Sequence, residues 1–363
     1  MKKFRKVVLY VLLAAALYVG GLLLFGTLTD WAPEGTEPAQ VWNADRANPE
    51  IQDSVLTFLT WNVGYGGIGS EDFFFYNKGD FFWTDPGTVR MSKERVTANV
   101  GGQQMTVKNT LTDFFLLQEV DTAARRSHYI NELDTVRSAR DQYATAYASN
   151  FQSKRVPLPL LQPWDHYGYV VGGLATMSRY TPVESSRIQL PGEFPWPTKL
   201  FQLDRCALRQ EFSVAGGKKV VTYNVHLSAY DKGGGIRLQQ MNAIKQAVLA
   251  DYEAGHYVVV GGDWNQLPPG FNWFSLNPTV ERIEAPKTVA FDFMPAGWKY
   301  AYDPGTASVR ESHEPYDSHR TRRSVIDFYL LSPNLRIAQV KGLEMGFQHS
   351  DHQPVYLEVE LLK

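Results

Sequence analysis

The sequence predicts a layered fold of mixed strands and helices, of the α/β or α+β class, preceded by one helix that spans a membrane. Short apolar runs separated by turns recur from about residue 51 to the end of the chain. One segment between them carries apolar residues at helical spacing, and residues 7–28 form an uncharged apolar run. With 363 residues, 44% of them hydrophobic, the chain has ample material for one large core.

The amino terminus has the composition of a signal anchor. Residues 1–6 (MKKFRK) carry four cations, and residues 7–28 are long enough to cross a hydrocarbon core of ~30 Å as a helix. A cleaved signal peptide is the alternative, but its apolar region is shorter, and no clear A-x-A site follows this one. We predict a transmembrane helix at 7–28 with residues 1–6 in the cytoplasm, which places the catalytic domain on the extracytoplasmic side of the cell membrane as a single-pass protein.

The rest of the chain divides into a predicted linker and one predicted catalytic domain. Residues 29–50 are polar, proline-containing and aperiodic, as linkers are, and residues 51–363 form the domain. Its predicted strands are residues 54–64, 112–121, 172–178, 218–228, 256–265, 324–332 and 353–362. Residues 235–255 predict a helix, because Ile236, Met241, Ile244, Val248 and Leu249 repeat at its period.

Charge and cysteine content limit the classes of function. The formal net charge of -2 disfavours a nucleic-acid binder that relies on bulk charge, and no feature indicates a protein partner. Cys206 is the only cysteine, so no disulfide can form within the chain. No obvious general base stands beside the thiol in the sequence, and we interpret Cys206 as a small buried hydrophobe.

Polar side chains of the same few types recur at the ends of the predicted strands. Most of them alone have an ordinary structural explanation, such as a strand-end turn or a satisfied core histidine. Glu119 is the exception, because it follows a run of apolar residues and a buried carboxylate is costly without a cation or donors. Residues two apart on a strand face the same side, and open α/β sheets place ligand sites beyond the carboxyl ends of their strands. We therefore expect one site to be formed by Asn62, Glu119, Asn224, His226, Asp263, Asn265, Asp351 and His352.

The chemical types in this set favour a hard metal ion. Glu119, Asp351 and the amide of Asn62 offer oxygen ligands, which suit Mg²⁺ or Mn²⁺, with Ca²⁺ as a third candidate, better than zinc. Phosphoester hydrolysis needs few protein oxygens, one hard cation and nearby imidazoles. Asp327 is an acid inside an apolar strand, and we predict that it pairs with His352.

Six motifs in this order resemble the endonuclease/exonuclease/phosphatase superfamily. They are TWNVG (60–64), LLQEVD (116–121), YNVHLSA (223–229), GGDWN (261–265), VIDFYLLS (325–332) and SDHQPV (350–355). The superfamily includes deoxyribonucleases, neutral sphingomyelinases and inositol polyphosphate 5-phosphatases. The resemblance implies a four-layer αββα sandwich, in which two mixed sheets are flanked by helices.

The resemblance also implies a role for each site residue. Glu119 would be the principal metal ligand, with Asn62 and Asp351 beside it. Asp263 would orient or deprotonate the attacking water, and Asn265 would hold the scissile phosphate. His226 would stabilise the transition state or protonate the leaving group. His352, oriented by Asp327, would bind a phosphate oxygen or act as a base. Asn224, Asn265 and His226 are the predicted substrate-binding residues.

The substrate stays open between several phosphoesters. A phospholipid headgroup fits the anchor and the absence of a basic surface, whereas a nuclease fits the family but not the charge. A phosphomonoesterase of the inositol-phosphate type and a non-catalytic binding domain on the same scaffold are the further alternatives. The aromatic insertion at 71–83 (EDFFFYNKGDFFW) either packs on the domain or meets lipid headgroups or bases.

Overall fold

The chain folds into two packed β-sheets with helices on their outer faces. The computed structural model describes residues 1–85, 87–278 and 285–363. Its helices are α1 (Lys2–Leu28), α2 (Phe75–Lys78), α3 (Lys93–Asn109), α4 (Glu132–Arg137) and α5 (Gly235–Glu253). Its strands are β1 (Thr36–Pro38), β2 (Gln40–Trp42), β3 (Val55–Asn62), β4 (Phe114–Ala124), β5 (Ala144–Val156), β6 (Gly168–Ser178), β7 (Glu184–Gln189), β8 (Cys206–Ser213), β9 (Lys219–His226), β10 (Tyr257–Asp263), β11 (Lys299–Ala301), β12 (Val309–Arg310), β13 (Arg323–Ser324), β14 (Asp327–Leu331), β15 (Leu335–Gly342) and β16 (Val355–Leu361).

Each large sheet has seven strands and is mixed, which confirms the predicted fold class. The strand orders are β1-β7-β8-β9-β10-β14-β11 and β15-β16-β3-β4-β6-β5-β2, and β12 pairs with β13 separately. One pair in each sheet is parallel, β9 with β10 and β3 with β4. The carboxyl ends of these four strands therefore open at the same edge of the sandwich, where the polar residues predicted for the site are found.

Three apolar layers hold the sandwich together. Between the sheets, Phe58 stacks on Phe114 with ring centroids 4.6 Å apart, amid the other apolar residues of the central layer. On the outer face of one sheet, α5 buries Met241, Ile244 and Val248 against β9 and β10. Helices α3 and α4 cover the other sheet. Because both faces of each sheet are covered, their central strands read as continuous apolar runs.

The segment predicted as a linker, residues 29–50, is partly folded onto the domain. Strand β1 pairs with β7 at the edge of one sheet, and β2 pairs with β5 at the edge of the other. The segment therefore contributes one edge strand to each sheet, although its sequence is aperiodic. Strands of three residues are too short to show an alternating pattern, which explains why the segment was predicted as a linker.

Helix α1 is long and apolar enough to cross a membrane. It spans Lys2–Leu28, its mean hydropathy reaches 2.5, and none of its residues is buried. Four half-buried positions, Tyr18, Leu22, Leu23 and Gly26, nevertheless lie at the spacing of one helical face. One face of the carboxyl-terminal half of α1 therefore contacts the domain.

Candidate active site

Two strand ends and one strand bulge bring two carboxylates and one amide into contact. Nδ2 of Asn62, the last residue of β3, donates to Oε1 of Glu119 and to Oδ2 of Asp263, each at 3.1 Å. Oδ1 of Asn62 accepts the backbone N–H of Gly64 at 3.0 Å, which fixes the amide plane. The predicted convergence of Asn62, Glu119 and Asp263 is therefore present.

Glu119 reaches the site because β4 bulges at that residue. The pairing of β4 with β6 shifts between Leu117 and Val120, and Glu119 itself has φ of 56°. Left-handed backbone is unfavourable for a residue with a Cβ and persists where the surrounding fold enforces it. The bulge aims the carboxylate along the sheet edge, and its side chain keeps 24% of its surface exposed.

Two buried histidines face the same carboxylate from different sheet positions. Nε2 of His226 lies 3.4 Å from Oδ2 of Asp263 and 3.8 Å from Oε1 of Glu119. Burial, assisted by the Arg205 charge, holds the pKa of His226 well below its ordinary value, so the ring is neutral. Nε2 of His352 lies 3.8 Å from Oδ2 of Asp263.

Asp327 holds His352 from behind, as predicted. Its Oδ2 lies 2.8 Å from Nδ1 of His352, and the carboxylate is fully buried. Burial acts to lower the pKa of His352, but the charge and hydrogen bond of Asp327 outweigh it and raise that pKa. His352 is therefore a cationic imidazole fixed in one orientation.

Asp263 and Asn265 form a rigid turn after β10. Oδ1 of Asp263 accepts the backbone N–H of Asn265 at 2.8 Å, and Nδ2 of Asn265 donates to the carbonyl of Leu227 at 2.9 Å. Burial and then the charge of Asp327 raise the pKa of Asp263. A carboxylate whose pKa is raised is better matched to accepting a proton near neutral pH.

A cavity of about 650 Å³ opens over these groups. Six predicted site residues line it: Glu119, His226, Asp263, Asn265, Asp351 and His352. Asn62 and Asp327 lie directly behind, buried at 1% and 0% exposure, where they hold the lining residues. Asp351 closes the site beside Gly64, where an added Cβ would stand 3.2 Å from its Oδ1.

Asn224 is the one of the three predicted substrate-binding residues that does not line the cavity. Its side chain does point the same way as His226, but it is fully buried between the sheets. Its Nδ2 donates to the carbonyls of Leu117 and Ala175, and its Oδ1 accepts from Gln118 at 2.8 Å. Asn224 ties the two sheets together beneath the site, so in this structure its side chain supports the site and does not line the cavity.

The donor set fits a hard divalent cation. Within the described residues, no Lys or Arg nitrogen lies within 4.0 Å of the carboxylates of Glu119, Asp263 or Asp351, and the one cationic side chain that close to any of them is His352, 3.8 Å from Asp263. Buried acids without a counter-ion are costly, and a bound cation relieves that cost. Asp263, Asp327 and His352 also offer ligand atoms within 4.8 Å of one another. The hydrogen bond between Asp327 and His352 already uses two of those atoms, which favours a cation site at Glu119 over one at these three residues.

Arg205 is a site residue that sequence analysis missed. It lines the cavity at 6% exposure and donates weakly to the carbonyl of His226, at 3.4 Å, with no carboxylate within 4.0 Å in the described ranges. Burial lowers its pKa to about 10, which still leaves it cationic near neutral pH. The signal was its place just before β8, because β8 is antiparallel to β9 and begins where β9 ends.

A second buried arginine supports the bulge that carries Glu119. Arg126 binds both carboxylate oxygens of Asp121, at 2.8 and 2.9 Å, and its guanidinium lies 3.8 Å above the ring of Tyr65. This pair is fully buried, so removing either partner would strand a charge. Asp121 is only two residues from Glu119, and the ion pair therefore anchors the bulged segment.

Solved structures of low sequence identity share this fold. Truncated TDP2 from Caenorhabditis elegans matches with a TM-score of 0.52 and 16% identity, covering 85% of this chain and 99% of that one. An endonuclease/exonuclease/phosphatase family protein from Leptotrichia buccalis C-1013-b matches with a TM-score of 0.51 and 13% identity, covering 84% of this chain and 100% of that one. A protein from Beutenbergia cavernae DSM 12333 matches with a TM-score of 0.50 and 18% identity, covering 85% of this chain and 72% of that one. Each of the last two is described as an endonuclease/exonuclease/phosphatase.

The sequence itself carries the stronger relationship. No curated protein matches it. The sequence model of the endonuclease/exonuclease/phosphatase family matches residues 59–352, which include every residue of the cavity edge described above. The chain therefore belongs to the endonuclease/exonuclease/phosphatase family.

Proposed function

We propose that this protein is a divalent-metal-dependent phosphoesterase that hydrolyses a phosphodiester by in-line attack of an activated water. The observation that carries the proposal is the meeting of Glu119, Asp263, His226 and His352 at one cavity. Members of the family are generally phosphoester hydrolases. Arg205 and the cationic His352 add the positive charge that a phosphate group requires.

The metal is Mg²⁺ or Mn²⁺ in this proposal, with Ca²⁺ as a third candidate. Glu119, Asp351 and the side-chain oxygen Oδ1 of Asn62 would hold the metal. The metal would offset charge on the phosphate oxygens and lower the pKa of bound water. Asn62 Oδ1 accepts one backbone hydrogen bond and has a second lone pair free for that purpose.

The protein's own groups divide the chemistry among them. Asp263, fixed by Asn62 and by the Asn265 backbone, accepts a proton from the water whose oxygen forms the new bond to phosphorus. The ester oxygen leaves with the electron pair of the broken P–O bond and takes up a proton from solvent. Neutral His226 and cationic His352 donate to the phosphate oxygens as charge accumulates there.

Asn265 contributes the orientation of the phosphate. Its side chain gives one amide hydrogen to the carbonyl of Leu227, at 2.9 Å, and keeps the other for a phosphate oxygen. With φ of 51°, its backbone is held in the left-handed region by the turn after β10. Such pre-organisation lowers the cost of binding the reacting group.

The location is part of the same proposal. Residues 7–28 of α1 would cross the cell membrane once, with Lys2, Lys3, Arg5 and Lys6 on the cytoplasmic side. The catalytic domain, residues 51–363, would then lie outside, next to the membrane. Protease added to intact cells should digest the domain, whereas protection of the domain would contradict this orientation.

Hydrolysis of bis(p-nitrophenyl) phosphate by the full-length protein in detergent tests the chemistry. Mg²⁺ should support turnover and a chelator should abolish it. Glu119→Gln should lower the rate about 10³-fold or more, because the variant removes a ligand charge without changing volume. The control Glu253→Gln, an exposed acid at the end of α5, should retain the rate. Equal rates in the two variants would sink the proposal.

A further inference from the structure

The polar lining of the active-site cavity includes the acids, the imidazoles and the arginines Arg126, Arg205, Arg310 and Arg322. The rest of its lining is largely aromatic and aliphatic. We call this part the apolar groove, and it is lined by Phe74, Phe81, Val156, Leu158, Phe201 and Leu203. Most of these side chains pack on one buried cluster that includes Phe75, Phe151 and Tyr167. An apolar wall of this extent suits a substrate with a hydrocarbon part.

The apolar groove ends beside helix α1. An added Cβ at Gly26 would stand 3.3 Å from Leu200 and 3.6 Å from Phe201, so the helix backbone nearly touches the groove wall. The hydroxyl of Tyr18 donates to the carbonyl of Leu160 at 3.1 Å. The indole of Trp196 donates to Oγ1 of Thr27 at 3.2 Å. The membrane-spanning helix and the substrate cavity are therefore neighbours.

Around this contact the domain exposes large apolar side chains that we call the apolar rim. They are Phe82 at 63%, Trp83 at 55%, Leu161 at 56%, Trp164 at 66% and Trp196 at 56% exposure. The backbone links two parts of the rim, since Leu160 and Leu161 donate to the carbonyls of Phe81 and Phe82. Exposed aromatics concentrated in one place mark an interaction surface, and tryptophan favours the membrane–water boundary.

The position of the rim along α1 indicates a bilayer as its occupant. Tyr18, which contacts Leu160, lies roughly 15 Å along the helix axis from the end of α1, at 1.5 Å per residue. The rim therefore stands beside the last apolar turns of the helix, which would place it within the outer half of the bilayer. Arg125 and Arg155 donate to the carbonyls of Trp164 and Pro163, which puts cations next to the exposed indole, as anionic headgroups would require.

We propose that the substrate is a phospholipid of the membrane that α1 crosses, with its hydrocarbon part in the apolar groove and its phosphate at Asp263 and Arg205. The proposal rests on the proposed function and names the substrate class of that same site. The apolar rim seats the cavity mouth on the bilayer, so the lipid moves from the membrane into the apolar groove without crossing water. Burial of the hydrocarbon part supplies the binding free energy that positions the phosphate.

Full-length protein in vesicles of phosphatidylethanolamine and phosphatidylglycerol provides the test. Release of phosphorus-containing product from the vesicles is compared with hydrolysis of bis(p-nitrophenyl) phosphate and of a single-stranded DNA. The variants Phe201→Gln and Phe81→Gln change the groove wall. The control Leu238→Gln changes a side chain on α5 that is 52% exposed and lies outside the cavity.

We expect the wild type to hydrolyse vesicle lipid, and both groove variants to lower the ratio of lipid to soluble-ester hydrolysis about tenfold or more. Leu238→Gln should keep that ratio. Soluble-ester hydrolysis without lipid hydrolysis would overturn the substrate class and leave the proposed function standing. Cleavage of DNA in place of lipid would do the same and assign a nuclease.

Binding separates the two proposals if no ester is hydrolysed. Equilibrium dialysis of a short-chain phosphatidylglycerol against Glu119→Gln measures the apolar groove without turnover. Saturable binding that weakens about tenfold when Phe201→Gln is added to Glu119→Gln would support the lipid site. No binding, or binding unchanged by Phe201→Gln, would overturn it.

Discussion

Oδ2 of Asp327 lies 2.8 Å from Nδ1 of His352, and both side chains are buried. This pair joins the first residue of β14 to a residue three positions before β16, so it links both sheets at the cavity. The acid accepts the proton of Nδ1 of His352 and leaves Nε2 facing Asp263. The orientation of the imidazole is therefore set before substrate arrives.

Asp327→Asn is expected to lower kcat/KM by about 10²–10⁴-fold, because the amide cannot stabilise the cationic ring. The pair also makes stability depend on pH. Its contribution is fully present below 6.5, the ordinary pKa of histidine, and is lost as pH rises through about 10, the raised pKa of His352. Urea unfolding with chelator should show the stability gap between wild type and variant narrowing over that range, and a constant gap would refute the assignment.

Arg205 is expected to act on the phosphate. Arg205→Lys keeps the charge but loses the planar fork, and we expect kcat/KM to fall about tenfold, whereas Arg205→Met should cost about 100-fold. Comparing the two variants separates charge from packing, since both keep a long side chain and only lysine keeps the positive charge. Equal activity of Lys and Met variants would show that Arg205 has only a structural role.

Gly262 is expected to resist substitution because strands β9 and β10 approach closely there. A Cβ at this position would stand 1.9 Å from the carbonyl oxygen of Val225, and φ is 150°. Gly262→Ala should lower the free energy of unfolding by roughly 1–3 kcal/mol and displace Asp263, the next residue. Denaturant unfolding and ester hydrolysis check both effects. Gly255→Ala is the control variant. Gly255 also has a positive φ, but an added Cβ there would have no atom within 4 Å.

Cys206 is expected to be chemically silent. It is fully buried, and burial raises the pKa of its thiol to about 12. The folded protein should therefore resist alkylation near neutral or mildly alkaline pH, while the unfolded chain should react at once. Cys206→Ala should leave ester hydrolysis unchanged. Rapid labelling of the folded protein would contradict the interpretation of this residue as a core side chain.

Strand positions could be predicted where both faces of the sheet are covered. Val258–Val260 and Phe114–Leu117 are continuous apolar runs because helices and the second sheet bury them. Strand β5 was not predicted, since its partly exposed residues interrupt the apolar pattern. Residues 36–42 were treated as a linker because three-residue edge strands carry no period.

The site could be predicted in its residue types but not in its backbone. Asn62, Asp263 and His352 follow from polar residues at strand ends. The left-handed bulge that turns Glu119 into the cavity leaves no mark in the sequence, since it depends on the pairing of β4 with β6. Asn224 shares its strand face with His226, and only tertiary packing decides that it ties the sheets together.

The central claim is that Glu119 and its neighbours hold the divalent cation that hydrolysis requires. Anomalous scattering from crystals grown with Mn²⁺ measures this directly. We predict a peak bonded to the carboxylates of Glu119 and Asp351 and to Oδ1 of Asn62, at distances typical of metal–oxygen bonds, and no such peak in Glu119→Gln. An ion found only between Asp263, Asp327 and His352, or no ordered ion at this edge of the sandwich, would contradict the account.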